Sequence, residues 1–338
     1  MHLNRSTGLI IREAQFPADM PPMLLVVVDT EEEFDWSQPF ARNNTGTSSI
    51  QFQWRAQEVF DRHGVKPTYL VDYPVATDSA AVASLGRLHE EERCQIGAHL
   101  HPWVNPPHDE VVCAINSYPG NLAPELERTK LKRLSEAIEL AFGLRPTLYK
   151  AGRYGFGPAT ASTLEALGYE IDLSIVPHST FAEDGGPDFF GLPDRPFWFG
   201  TNGTLLEIPL SRGFVGLARR YGAGLFRLLS APVPQRLHAL GVAARSRVLE
   251  RFTLTPEGFL FGHQRRLVEA LLQAGHRIFS LTYHSPSLVP GNTPYVRSEL
   301  DLSAFLETLD RFVSFFLGEL GGRTATPFDV RNAAKPIP

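Results

Sequence analysis

"MLLVVV", from Met23, is a short apolar run, half of it β-branched, and it leads straight into the acidic stretch "DTEEEFD". The run is too short for a free-standing helix, and its composition marks a strand buried on both faces. Such a strand has no polar face to turn to water, so other elements must cover both its sides. That requirement points to an α/β chain before any other feature is considered.

The rest of the sequence follows the same pattern. "IQFQWRAQEVFDRHG" predicts a helix closed by Gly64, and "KPTYLVD" predicts a second strand. "AAVASLGRLHEEER" reads as helix and "CQIGAH" as the third strand. "APELERTKLKRLSEAIELAFG" is an amphipathic helix with Gly143 just past its end. "PTLYKAG", "YEIDLSIV" and "TLLEIPL" follow as strands, with the helix "GPATASTLEALG" between the first two. The Gly/Pro-rich stretch from Gly185 to Gly203 reads as loop. "FGHQRRLVEALLQAG", "HRIFSLTYH" and "DLSAFLETLDRFVSFFLG" close the chain as helix, strand and helix. This order argues for a parallel sheet covered by helices, and about seven strands favour a barrel over an open sheet. Residues 1–22 read as an N-terminal extension, 23–318 as the barrel domain with a largely helical insert at 211–258, and 319–338 as a tail.

The 338 residues, with 43% hydrophobic and 20% charged, suffice for a large core. A net charge of −5 gives no reason to expect nucleic acid as a partner. Cys94 and Cys113 form neither a disulfide framework nor a metal spacing. No apolar run reaches the roughly 18 residues that span a bilayer. "MHLNRSTGLIIREAQF" lacks a secretory hydrophobic stretch, so a cytoplasmic location is expected. The insert differs in charge: from Ser211 to Arg251 it carries eight arginines and one acid, Glu250. One reading is a surface hairpin whose arginines pair with acidic neighbours. The other is a basic surface for a phosphate-bearing or membrane-held substrate, with Leu217, Leu225, Phe226 and Leu228 as its apolar side. The sequence assigns no oligomeric state.

The unusual polar residues fall at strand ends, where βα folds build their sites. Asp29 and Glu31 end the first strand, His99 and His101 the third, Lys150 and Arg153 the fourth, and His284 the last; Asp172 lies within the fifth. Residues two apart in a strand share a side, so each of the first two pairs can face one pocket, while Glu32 points away. A carboxylate with two imidazoles suits zinc or a related divalent ion, and the other carboxylate is then free to act as general base. His284 could protonate a leaving amine, and either Arg153 or Lys150, near Asp172, could keep the base ionised. "TEEEFD" alone reads as a solvated loop and H-x-H alone as structural; their convergence on one rim is what carries the functional reading.

"VVVDTEEEFDW", "QIGAHLHPW", "LYKAGRYGFG", "YEIDLSIVP" and "LTYHSPSL" together resemble, in order, the motifs of the NodB-like polysaccharide deacetylases, carbohydrate esterase family 4. The resemblance covers about residues 23–318 apart from the insert, and is strongest to an intracellular, glycan-biosynthetic branch. It implies an incomplete seven-stranded parallel (β/α) barrel and metal-dependent removal of acetyl groups from amino sugars. By position it makes Asp29 the base, Glu31 and His99 metal ligands and His284 the acid. The family's second histidine lies four residues after the first, where this chain has Trp103, so His101 takes that place. The family's arginine of the third motif falls at Lys150, with Arg153 close by, and Asp172 corresponds to the acidic residue of the fourth.

The expected activity is therefore hydrolysis of an N-acetyl group in a glycan or glycan precursor, with zinc the first choice of metal and nickel, cobalt or iron as alternatives. Trp36, Trp103 and Tyr154 are the candidate sugar-stacking residues. Two other readings stand beside it: hydrolysis of a non-sugar amide or other C–N bond at the same site, and a catalytically retired glycan-binding or scaffold barrel.

Overall fold

The structure is a computed structural model that describes residues 2–3, 9–231, 235 and 238–336. Its strands are β1 (His2–Leu3), β2 (Ile10–Gln15), β3 (Met23–Thr30), β4 (Thr68–Val71), β5 (Gln95–Leu100), β6 (Leu148–Ala151) and β7 (Ile171–Asp172). They continue as β8 (Phe197–Phe199), β9 (Leu205–Glu207), β10 (Arg212–Val215), β11 (Glu250–Thr253), β12 (Ile278–His284), β13 (Arg323–Thr324) and β14 (Lys335–Pro336). Helices Trp54–Arg62, Ser79–Glu90, Pro124–Phe142, Thr160–Leu167, Phe261–Gln273 and Glu299–Gly318 lie where the hydrophobic periodicity places them. Pro124–Phe142 stops at Gly143, whose φ of 68° is open to glycine at little cost. Among the described residues no helix is long and apolar enough to cross a membrane.

The sheet is mixed and curls into a half-barrel. β12, β3, β4, β5, β6, β7 and β9 pair in that order, each parallel to its neighbour. Beyond β9 the pairing turns antiparallel through β8, β2 and β1. On the open side, Ser211 and Leu254 bridge toward β12: Ser211 N donates to the Ser280 carbonyl at 3.4 Å and Thr282 N to that of Leu254 at 3.1 Å.

Three expectations are corrected here. β8 lies inside the stretch read as loop, where Phe197–Phe199 alternates between the two hydrophobic clusters of the sheet. The insert is framed by an antiparallel pair, β10 with β11, and is not simply helical. The segments read as extension and tail both enter the sheet, with β2 on β8, β13 on β3 and β14 on β2. β2 and β14 extend the sheet beyond β8, where an open edge needs partners, and β13 pairs the start of β3 ahead of β4.

Side-chain alternation divides the core. Leu24, Val26 and Val28 of β3 join Tyr69, Ala98, Tyr149 and Phe279 in the layer beneath the helices. Met23, Leu25 and Val27 face the other way, into the barrel, with Leu70, Leu148, Ile171, Leu206 and Ile278. Continuing this period of two puts Asp29, His99, Lys150, Thr282 and His284 on the inner face at the strand ends. The barrel is thus an apolar plug with a polar top.

Gly97, directly before that top on β5, has no room for a side chain. A Cβ there would stand 2.8 Å from Leu148 Cβ and 2.9 Å from the Leu148 carbonyl oxygen. Gly97→Ala is therefore expected to push β5 from β6 and cost about 1–3 kcal/mol, read by urea unfolding; an unchanged midpoint would contradict this packing.

Candidate active site

Asp29 is almost fully buried, so its charge needs a partner inside the protein. Lys150 supplies it. Its Nζ lies 2.6 and 2.7 Å from the two Asp29 carboxylate oxygens and 3.3 Å from Thr282 Oγ1. Burial opposes ionisation of Asp29, but the Lys150 ammonium, with His99 and His284 further off, holds its carboxyl below the usual range. Of the two cations that the sequence left open, Lys150 is the one on Asp29.

Glu31, His99 and His101 converge beside it. Glu31 Oε2 is 3.4 Å from His99 Nε2 and 3.4 Å from His101 Nε2, and the three ligand atoms lie within 4.8 Å of one another. His99 Nδ1 sits 3.1 Å from the Lys150 carbonyl, which can only accept, so Nδ1 carries the proton and Nε2 presents its lone pair. His101 Nδ1 faces Glu32 Oε2 at 2.7 Å, and an ionised Glu32 accepts from Nδ1 and leaves Nε2 with its lone pair. Burial lowers His99 below its ordinary range and His101 to about 4, so both rings are neutral near pH 7. Burial also raises Glu31, outweighing its histidine neighbours.

Three electron-rich atoms aimed at one point repel one another unless a cation lies between them. Two ligands of a tetrahedral ion, each about 2.0–2.2 Å from it, stand about 3.3–3.6 Å apart, and the two 3.4 Å separations match. Glu31 Oε1 is buried with no hydrogen-bond partner among the described residues. The donor set fits zinc or a related divalent ion.

His284 ends β12, the strand paired with β3, and is level with Asp29, its Nε2 3.7 Å from Asp29 Oδ2. Its Nδ1 is 2.8 Å from Glu257 Oε2, and its backbone N–H donates to Glu257 Oε1 at 3.1 Å. Burial disfavours its charge, yet Glu257 first, then Glu31 and Asp29, raise it to about 10. His284 is an imidazolium at neutral pH, the form that can give a proton.

The structure separates the remaining expected residues. Asp172 does not line the cavity. Its neighbours Ile171 and Leu173 point into the barrel, so Asp172 faces outward, bonded to Ser174 Oγ at 2.5 Å and beside Glu207. Burial pushes Asp172 up to about 6. Its link to the site is indirect, through Ser174 Oγ, which accepts from the Ala151 N–H at 2.8 Å. Arg153 stays off Asp29 and bonds Ser117 Oγ at 2.7 Å and Asp184 Oδ2 at 3.1 Å on the cavity wall. Arg153 and Tyr154 both hold positive φ, 51° and 59°, costly for residues with a Cβ. That turn sets Tyr154 with its ring centroid 5.1 Å from Lys150 Nζ. Trp103 is buried, stacked on His101 at 4.3 Å, and its Nε1 donates to Glu32 at 2.7 Å, so it braces His101. Trp36 remains at the rim, edge-on to His284 at 5.0 Å and beside Tyr295 at 5.7 Å.

Several residues escape the sequence reading. Glu32 turns away from the cavity as its spacing requires, but it is fully buried and holds both His101 and Trp103. Its backbone N–H donates to Asp72 Oδ2 at 2.7 Å, and burial raises Glu32 to about 8. Gly152 leaves space for the His101 ring, since a Cβ there would meet His101 Cδ2 at 2.4 Å. Glu257 comes from the return of the insert and had no local signal in the sequence. Asp29, Glu31, His99, His101, Lys150 and His284 line a cavity of about 320 Å³, walled further by Phe34, Trp36, Phe40, Tyr118, Tyr154 and Tyr295.

No family model matches the chain, and no curated protein matches it. Among solved structures it is similar to a Mycobacterium smegmatis protein assigned as a polysaccharide deacetylase, at 15% identity over 96% of this chain and 94% of that one, with a TM-score of 0.54. It is also similar to the allantoinase PuuE, at 15% identity over 94% of this chain and 91% of that one, with a TM-score of 0.56. These likenesses show a shared fold.

Two outcomes follow from the charge pairs. Lys150→Met leaves Asp29 buried without its cation and is expected to cost about 3–5 kcal/mol, most of it recovered when Asp29→Asn is added; chemical unfolding of the single and double variants measures this. For His284, protonation is lost as pH rises through about 10. Glu257→Gln should bring that loss about 1–3 units lower, as followed by NMR titration of the imidazole.

Proposed function

We propose that this chain is a metal-dependent deacetylase of the NodB-like type, hydrolysing the N-acetyl group of an amino sugar in a glycan or glycan precursor. The observation that carries the reading is the three-atom donor set of Glu31, His99 and His101 facing the Asp29–Lys150 and His284–Glu257 pairs across one cavity. A divalent ion held by those three residues, zinc by donor type, would polarise the acetamide carbonyl and acidify a water.

The protein's own groups divide the proton work. Asp29, kept ionised by Lys150, takes a proton from the attacking water. His284, kept charged by Glu257, gives its Nε2 proton to the amine nitrogen as the C–N bond breaks. The proton on Asp29 passes back to His284, and the acetic acid gives its proton to the freed amine, so acetate and the ammonium product leave. Lys150 stands in for an arginine as a compact ammonium that reaches both Asp29 oxygens. Trp36 and Tyr295, exposed beside His284, would stack on a sugar ring in this reading. Two free cysteines, Cys94 and Cys113, support a reducing, cytoplasmic setting.

Asp29→Asn and His284→Ala are each expected to lower kcat/KM for acetate release by about 10²–10⁴-fold while circular dichroism stays unchanged. Chelation should abolish activity, and added zinc or cobalt should restore it. Full activity in either variant would sink the mechanism. N-acetylglucosamine oligomers assayed against cyclic imides separate the sugar reading from a non-sugar amide.

A further inference from the structure

We propose that the insert between β9 and the helix Phe261–Gln273 docks on an anionic lipid surface. From Ser211 to Arg251 the sequence holds eight arginines, no lysine and one acid, a net +7 in a chain of −5, so the remainder carries −12. Neutralisation by neighbouring carboxylates is not what the structure shows. Among the described residues, no arginine of the insert forms a salt bridge, and Glu250 pairs outward with Arg266. Arg236 lies outside the described residues. Arg212 and Arg251 turn inward, donating to Ser179 Oγ and to the His178 carbonyl, and Arg251 covers Phe226 at 4.1 Å. Arg220, Arg227, Arg245 and Arg247 stay exposed.

Large apolar side chains stand among them. Leu217 is 85% exposed, Tyr221 77%, Leu228 63% and Val242 61%. The insert also has its own small core, Phe214, Ala243 and Leu249, with Leu225 and Phe226 packed against it. Of the apolar side expected from sequence, Leu225 and Phe226 therefore face inward, and Leu217 and Leu228 face water. Arg220 precedes Tyr221 and Arg227 precedes Leu228, so charge and apolar surface interleave along this part of the insert. The turn at Leu217 is tied to the second helical part of the insert: Leu217 N donates to the Arg247 carbonyl at 3.2 Å and Ala218 N to that of Val248 at 2.9 Å.

Guanidiniums free of carboxylates suit phosphate groups, which they bind bidentately. A nucleic-acid backbone would engage that charge but has no use for protruding Leu217, Leu228 and Val242. A bilayer interface takes both, phosphates at the headgroup level and apolar side chains just beneath.

Co-sedimentation of the full chain with vesicles tests this. Binding is expected to vesicles of phosphatidylcholine and phosphatidylglycerol in equal parts, and not to phosphatidylcholine alone. Reversing Arg220, Arg227, Arg245 and Arg247 to Glu should weaken it at least about tenfold. A second variant, Leu217→Ser with Tyr221→Ser and Leu228→Ser, should weaken it comparably while keeping the salt dependence; all these positions are exposed, and thermal unfolding checks the fold. The proposal is overturned by absent binding to the anionic vesicles or by equal binding to both compositions. It is also overturned by apolar variants that bind as wild type, by tighter retention on duplex DNA, or by self-association that the Arg reversals abolish without any vesicle binding.

Discussion

A strand covered on both faces cannot end in a charge unless the protein answers it, and the rest of this molecule is arranged around that answer. Asp29 closes β3 inside the barrel, and Lys150, on β6, neutralises it with both carboxylate oxygens in reach. The pair is shielded from water, so its attraction is strong, and so is the cost of losing either member. Around it the same need repeats. Glu31 stands against two imidazoles that with it form a donor set suited to a cation, and Glu257 answers His284, while Glu32 braces the neutral His101.

The alternation of side chains is what lets so many polar groups share one end of an apolar barrel. Met23, Leu25 and Val27 fill the interior before the strand delivers Asp29, and Ile278 does the same ahead of His284. Asp172 shows the rule from the other side. It sits at the right height on β7 but at the wrong parity, so it pairs with Ser174 and Glu207 outside the cavity. Spacing places a residue at the site only when it also gives the correct face.

The residues that support the site were harder to read, because each comes from a distant part of the chain. Glu257 reaches His284 from the return of a long insert, and Asp72 meets the Glu32 backbone from the end of β4. Neither stands in a pattern with its partner. Glu32 was visible in the acidic run but looked like solvated charge, since a local spacing says which way a side chain points and not what covers it. The same applies to the edges of the sheet: β8 is three residues long, and β2, β13 and β14 make sense only against strands far away in sequence.

The sequence by itself determined the parallel βα order, the buried first strand, and the candidate ligands and acid at the strand ends, because periodicity and composition are local properties of the chain. Tertiary structure alone decided that Lys150 and not Arg153 faces Asp29, that Asp172 is turned away, that Trp103 braces His101, and that the described arginines of the insert form no salt bridge with a carboxylate. Each of those depends on a distance between residues far apart in the chain, and such distances exist only once the barrel has curled and brought its strand ends to one rim.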